Sequence, residues 1–315
     1  MKLTIGKLRG LQQCTSPRGT FTCLALDHRQ NLRKANPIFV DNIELSRFKL
    51  DVTAALADHS TAVLLDPEVS AAQAIAANNI PNHVGLVVAV ESTGYGGSTI
   101  ARQSQILPDW SVEKAKRMGA SMIKLLVYYH PDSPTARDIE VFVKQVADEC
   151  THYDLGIMLE PLSYSLDAAK KLSSAEKRYV VTETARRLVT SGIDVLKAEF
   201  PLDITQDPDE ITWIEACAGV SEASPAPWIV LSAAVDYDIY LRQVEIACRA
   251  GASGSAVGRA VWQEAVTMDS QPRFDFLRTT GRERLSRLTT LCSEVGKPIS
   301  DFYTADAQFD WYKTY

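Results

Sequence analysis

Eight short apolar runs, separated by helix-length amphipathic segments, constrain this chain more than any other feature. They are residues 21–27 (FTCLALD), 61–66 (TAVLLD), 84–91 (VGLVVAVE), 121–128 (SMIKLLVY), 155–160 (LGIMLE), 193–199 (IDVLKAE), 228–232 (WIVLS) and 252–259 (ASGSAVGR). None alternates cleanly with polar residues, as a half-exposed strand would. Near-continuous apolar runs of this length read as parallel strands covered on both faces. The eighth is the weakest. Between the runs lie helix signals. Ser173-x-x-Glu176 is a capping box, and Val181, Ala185 and Leu188 then mark an apolar face. Asp238 is expected to cap the segment that ends at Ala250-Gly251, and Asp109 or Ser111 the one that ends at Gly119. At Gly119, Gly192 and Gly251 a helix closes on glycine and an apolar run follows at once.

Strict alternation of strand and helix predicts a parallel sheet, and eight repeats predict closure into a single (β/α)8 barrel over residues 1–315. From about residue 270 the expectation is one more helix, around 274–294, followed by a tail carrying Phe302, Tyr303, Phe309, Trp311, Tyr312 and Tyr315. That tail packs under the barrel or into a neighbouring copy, so a homo-oligomer is among the expected assemblies.

The chain has 315 residues, 23% of them charged, with a formal net charge of -6. Such a balance excludes an extended nucleic-acid footprint, which needs a basic stripe, but not a small anionic substrate. No apolar run is long enough to span a bilayer, and residues 1–13 carry no signal-peptide core. A cytoplasmic enzyme is the expectation. The six cysteines are scattered with no Cys-x-x-Cys pair, which argues for buried thiols over a disulfide framework.

Charge interrupts the strands in a pattern. Asp27, Asp66, Glu91, Glu160, Glu199, Ser232 and Arg259 fall at or near strand C-termini, the rim where barrels gather functional groups. Two lysines lie inside apolar strands, Lys124 and Lys197, each five residues after a strand-opening glycine (Gly119 and Gly192). Both ammonium groups are therefore expected at similar height, on the fourth and sixth strands. Lysine is almost never fully buried unless paired or functional. Two close lysines and a carboxylate suit Schiff-base cleavage of a C–C bond. Burial and a neighbouring cation favour the neutral amine that attacks a carbonyl, and the carboxyl group moves protons. Glu160, on the strand between them, is the candidate for that transfer.

The eighth run leads into Gly258-Arg259, which with Ser232 after the seventh forms a candidate phosphate site. The loop 92–110, opening with Thr93-Gly94-Tyr95 and carrying Arg102, suits a lid. None of the five histidines is spaced as a metal-ligand pair, although His28 and His130 follow strands. His28 is read as a hydrogen-bonding rim residue, and neither a metal nor a cofactor is expected.

Together the segments ALDHR (25–29), ESTGY (91–95), DWSVEKAKRMGASMIKLLVYYHPD (109–132), LEPLSY (159–164), DVLKAEFP (194–201) and VLSAAVDYDIYLRQVEIACRAGASGSAVGRAVW (230–262) resemble the class I tagatose-1,6-bisphosphate aldolase family, which includes sulfofructose-phosphate aldolases. The resemblance implies that Lys197 is the Schiff-base lysine and Glu160 the proton-transfer acid. It makes Lys124 the cation that tunes the site and touches substrate, and Asp27 the rim aspartate that orients substrate hydroxyls or the carbinolamine. Ser232, Gly258 and Arg259 would hold the C1 phosphate. His28 stands where glutamine is expected, and no residue is identified for the far end of the sugar. The implied substrate is a ketose phosphate such as tagatose 1,6-bisphosphate, cleaved to dihydroxyacetone phosphate and an aldehyde. A 6-sulfo or 6-deoxy ketose 1-phosphate is the alternative within the same chemistry, and a non-catalytic sugar-phosphate sensor the alternative outside it.

Overall fold

The computed structural model describes residues 1–313 and 315. Its eight barrel strands are β1 (Phe21–Ala25), β2 (Ala62–Leu65), β3 (Gly85–Ala89), β4 (Met122–Tyr128), β5 (Gly156–Leu162), β6 (Val195–Ala198), β7 (Trp228–Leu231) and β8 (Gly254–Val257). All pairings are parallel, and the ring closes where β1 meets β8. Each strand coincides with one apolar run, and β1, β2, β3, β6, β7 and β8 are buried along their whole length. The weak eighth run is a strand because of its neighbour: Gly254 lies so close to β1 that a Cβ there would meet the Phe21 carbonyl oxygen at 1.9 Å. β5 runs two residues further than its apolar run, through Pro161 and Leu162, so Glu160 lies inside the strand rather than at its end.

Local signals account for most helix boundaries. The Ser173 capping box is formed in both directions, and Gly119, Gly192 and Gly251 all take positive φ where their helices stop. Ser111, not Asp109, caps helix Val112–Arg117. Asp238 does not cap its helix. The N-cap position of helix Tyr237–Arg249 is Asp236, and Asp238 sits in the first turn, where its charge faces the positive end of the helix dipole. The C-terminal helix is two segments, Ser270–Phe276 and Arg282–Val295, joined by a π turn at Leu277–Gly281.

Helix Ile5–Gln13 closes the N-terminal end of the barrel, with Gly10, Leu11 and Cys14 against Ser121, Gly156 and Gly85. A buried ion pair, Lys7 to Asp194 at 3.0 Å, fixes it there. Tyr303 packs beneath the barrel and donates to the Asp194 carbonyl oxygen, while Phe309, Tyr312 and Tyr315 are exposed. Among the described residues no helix is long and apolar enough to cross a membrane. With its N-terminal end plugged, the barrel is open at the C-terminal end of its strands.

Candidate active site

At that end lies a cavity of about 570 Å³. Asp27, His28, Lys124, Glu160, Lys197, Ser232, Gly258 and Arg259 all line it. Strand periodicity brings the charged ones together, because Lys124 and Lys197 point inward from β4 and β6. Lys197 is level with Glu160 in the β5–β6 register, which pairs Leu159 with Leu196, and Glu160 pairs with Leu126 on β4. Lys124 thus lies two residues earlier along its strand, and strand tilt restores the level across the barrel. Both lysines reach Glu160 Oε2, Lys124 Nζ at 2.9 Å and Lys197 Nζ at 2.8 Å. Their side chains are only 1% and 5% exposed.

Lys124 has two further carboxylate partners, Asp27 Oδ2 at 2.7 Å and Glu91 Oε1 at 2.8 Å. Burial favours its neutral form, but Asp27, Glu160 and Glu91 outweigh that and hold the ammonium well above the usual lysine range. Burial also opposes the charged forms of Asp27 and Glu160, yet Lys124 and Lys197 pull both carboxyl groups below their usual range. Glu91 goes the other way, because burial and Asp27 raise it more than Lys124 and Arg29 lower it. The second oxygen of Glu91 accepts from the Leu126 backbone N–H at 3.1 Å, and Arg29 donates to its carbonyl oxygen at 3.0 Å. The position of Glu91 at the end of an apolar run marks it as a rim residue but does not reveal Lys124 as its partner. Its signal, an acid closing an apolar strand, was the same as that of Asp66, which does something else.

Asp66 does not line the cavity. It is fully buried, ion-paired with Lys49, and accepts from the backbone N–H groups of Glu68 and Val69. It therefore organises the turn after β2. Glu199 lines the cavity and accepts from the Ser163 N–H at 2.7 Å. His28 and His130 do not converge. His130 accepts from the Asp132 N–H through Nδ1 and is not part of the cavity wall.

On the β7–β8 side, the Gly258 N–H donates to Ser232 Oγ at 3.4 Å. A Cβ at Gly258 would lie 2.9 Å from the Ala25 carbonyl oxygen and 3.0 Å from His28 Cε1, so only glycine lets these chains approach. After Ser232, Ala233 and Ala234 both have positive φ, at 45° and 62°. That backbone costs a non-glycine residue roughly 1–2 kcal/mol each, and such strain gathers at functional turns. Burial lowers the Arg259 guanidinium against the pull of Glu160 and Asp27. Burial likewise pushes His28 down to about 4, despite Asp27 beside it, so its ring is neutral at neutral pH. His28 packs against Trp262 edge to face at 5.3 Å, and its Nδ1 has no hydrogen-bond partner among the described residues.

The loop 92–110 contains a short hairpin, Gly96–Ser98 with Ala101–Gln103. Its Arg102 guanidinium stacks 4.4 Å from the Tyr95 and Tyr164 ring centres and 5.3 Å from that of Tyr128. Tyr95 and Tyr128 are part of the cavity wall.

A buried amine against a carboxylate held ionised by a second ammonium is an arrangement for covalent attack and proton transfer. The model of the DeoC/LacD family aldolases matches residues 21–264. Tagatose 1,6-diphosphate aldolase 2 of Enterococcus faecalis is 30% identical over 313 residues, covering 91% of this chain and 94% of the relative. Tagatose 1,6-diphosphate aldolase of Listeria monocytogenes serotype 4a is 30% identical over 330 residues, covering 95% of each. Among solved structures, an archaeal fructose 1,6-bisphosphate aldolase superposes with a TM-score of 0.60 at 20% identity, over 90% of this chain and 99% of the other. The fructose-bisphosphate aldolase of Slackia heliotrinireducens superposes with a TM-score of 0.64 at 15% identity, over 91% and 89%. At these identities the structural likeness concerns the fold.

Proposed function

The chain belongs to the DeoC/LacD aldolase family, and from that premise we propose that it cleaves a ketose 1-phosphate through a Schiff base on Lys197. The observation that carries this is the shared Glu160 oxygen, 2.8 Å from Lys197 Nζ and 2.9 Å from Lys124 Nζ. Lys197 passes its proton to Glu160, and the neutral amine attacks the C2 carbonyl. Loss of water from the carbinolamine gives an iminium. Glu160, again a carboxylate, takes the proton of the C4 hydroxyl as the C3–C4 bond breaks and its electrons enter the iminium, leaving an enamine. The aldehyde half departs, Glu160 returns a proton to C3, and hydrolysis frees dihydroxyacetone phosphate and Lys197.

Lys124 stays charged throughout and keeps Glu160 a base. Asp27, held ionised and 2.7 Å from Lys124, accepts from the substrate hydroxyls. The C1 phosphate binds at Ser232, Gly258 and Arg259, where the half-buried guanidinium offers a fork of charge-assisted donors. Neutral His28 supplies one hydrogen bond between that end and Asp27. Cytoplasmic residence fits the six cysteines, which are all buried and unpaired.

Borohydride reduction in the presence of dihydroxyacetone phosphate tests the proposal. The adduct is expected at Lys197 by peptide mass mapping, with trapping and turnover both lost in Lys197→Ala. An adduct at Lys124 would exchange the two roles. Turnover with no adduct at any lysine would overturn the mechanism.

A further inference from the structure

Resting on that Schiff-base reading, we propose that Arg102 is the specificity-determining residue for the aldehyde half. It binds a tetrahedral oxyanion, phosphate or sulfonate, at the far end of the ketose chain.

The order of strands in the closed ring carries the argument. β7 and β8 bear Ser232 and Arg259, and the β3–β4 junction lies diametrically across the barrel from them. A ketose with its phosphate at β7–β8 and its C2 on Lys197 of β6 extends past Glu160 of β5. Its last carbons then arrive at β4 and the loop after β3. The wall there is Tyr128 and Tyr95, and both rings pack on Arg102.

Arg102 is built as a held cation without a counter-charge. Tyr95 and Tyr164 flank it at 4.4 Å, which fixes a planar guanidinium and leaves its edge free to donate. Nε donates to the Thr99 carbonyl oxygen at 3.0 Å, its one side-chain hydrogen bond among the described residues. The backbone is also tied down, since Thr135 Oγ1 donates to the Arg102 carbonyl oxygen at 3.0 Å. Tyr164 in turn donates to Ser133 Oγ at 2.7 Å. The buried cations of the cavity floor differ in this respect, for Lys124 and Lys197 are both ion-paired. Arg259 lines the cavity, Arg102 lies behind its opposite wall against the Tyr95 and Tyr128 rings, and neither has an ion pair among the described residues. Two unpaired guanidinium groups so placed suit a substrate with an anion at each end.

The test compares dihydroxyacetone phosphate release from three substrates: a ketose 1,6-bisphosphate, its 6-deoxy-6-sulfo analogue as the 1-phosphate, and the 6-deoxy ketose 1-phosphate. Wild-type kcat/KM should favour at least one anionic-tailed substrate over the 6-deoxy one. Which tail is preferred distinguishes phosphate from sulfonate. Arg102→Gln should reduce that preference about tenfold or more, mainly through KM, and Arg102→Lys should restore part of it. Equal turnover of all three by the wild type overturns the proposal without any variant. An equal loss on all three in Arg102→Gln also overturns it and makes Arg102 a brace for the hairpin. Borohydride trapping of dihydroxyacetone phosphate at Lys197 in both proteins separates the two readings, because its failure in the wild type condemns the Schiff base and not Arg102.

Discussion

Lys124 and Lys197 stand on strands two apart, yet both ammonium groups meet one oxygen of Glu160, at 2.9 and 2.8 Å. The rest of their surroundings is unequal. Lys124 is held by three carboxylates and Lys197 by one. Deprotonating Lys124 would strand three negative charges in a buried site, whereas Lys197 can hand its proton to its single partner. The asymmetry supports the proposed division of roles, with Lys124 as fixed cation and Lys197 as nucleophile.

That division predicts a pH effect. In the wild type an acid limb of kcat/KM set by Glu160 should lie below the ordinary glutamate value of 4.5, because Lys124 and Lys197 outweigh burial. Lys124→Met removes a cation and leaves burial in place, so the limb should move up by about one unit or more. The rate at neutral pH should fall on the order of a hundredfold. A profile whose acid limb stays in place would show that Lys124 does not tune Glu160.

The fold and the floor of this site were legible in sequence for one reason: a charge inside an apolar strand is costly and therefore conspicuous. Lys124, Lys197 and Glu160 all stand out this way. Asp66 stands out equally and serves the fold, because its partner Lys49 lies on the buried face of helix Asn42–Leu56, beside Phe48, and not on a barrel strand. The left-handed turn at Ala233 and Ala234 was invisible, since alanine carries no mark of positive φ. The three-ring stack on Arg102 was also hidden, because Tyr95, Tyr128 and Tyr164 come from three separate segments that the pairing of β3, β4 and β5 brings together.

The buried pair Lys49–Asp66 should matter for stability and little for chemistry. Both side chains have no solvent exposure. Lys49→Met leaves the buried Asp66 without its ion-pair partner, with an expected loss of about 3–5 kcal/mol in urea unfolding. Lys49→Met with Asp66→Leu should recover part of it. Loss of the Schiff-base adduct in the folded single variant would instead place the pair in the active site.

Arg259→Ala removes a charge-assisted fork, with an expected cost of about 2–3 kcal/mol in kcat/KM on phosphorylated ketoses. The measurement is the same variant on an unphosphorylated ketose. An equal loss there would make the arginine structural.

Chelation gives a separate check on mechanism. The proposed Schiff base on Lys197 would supply its own electron sink, so dialysis against EDTA should leave the rate of dihydroxyacetone phosphate release unchanged. Loss of rate on chelation, restored by a divalent ion, would assign the cleavage to Lewis-acid chemistry instead.

His28 yields the prediction with the most definite sign. Burial holds its folded pKa at about 4, below the ordinary 6.5. Between those values the unfolded chain binds a proton that the folded protein refuses. Stability from this group is therefore fully present above pH 6.5 and is lost as pH falls toward 4, with a limiting slope of about 1.4 kcal/mol per unit. His28→Gln removes the titration, so urea-unfolding free energy plotted against pH should be flatter in the variant across that window. Turnover makes the complementary statement. A ring neutral at physiological pH acts as a hydrogen-bonding group, so the shape of the kcat/KM profile above pH 5.5 should be the same in both proteins even if its height differs. Loss of a limb near pH 6.5 in the variant would mean that His28 titrates during catalysis, and that its burial does not keep it neutral.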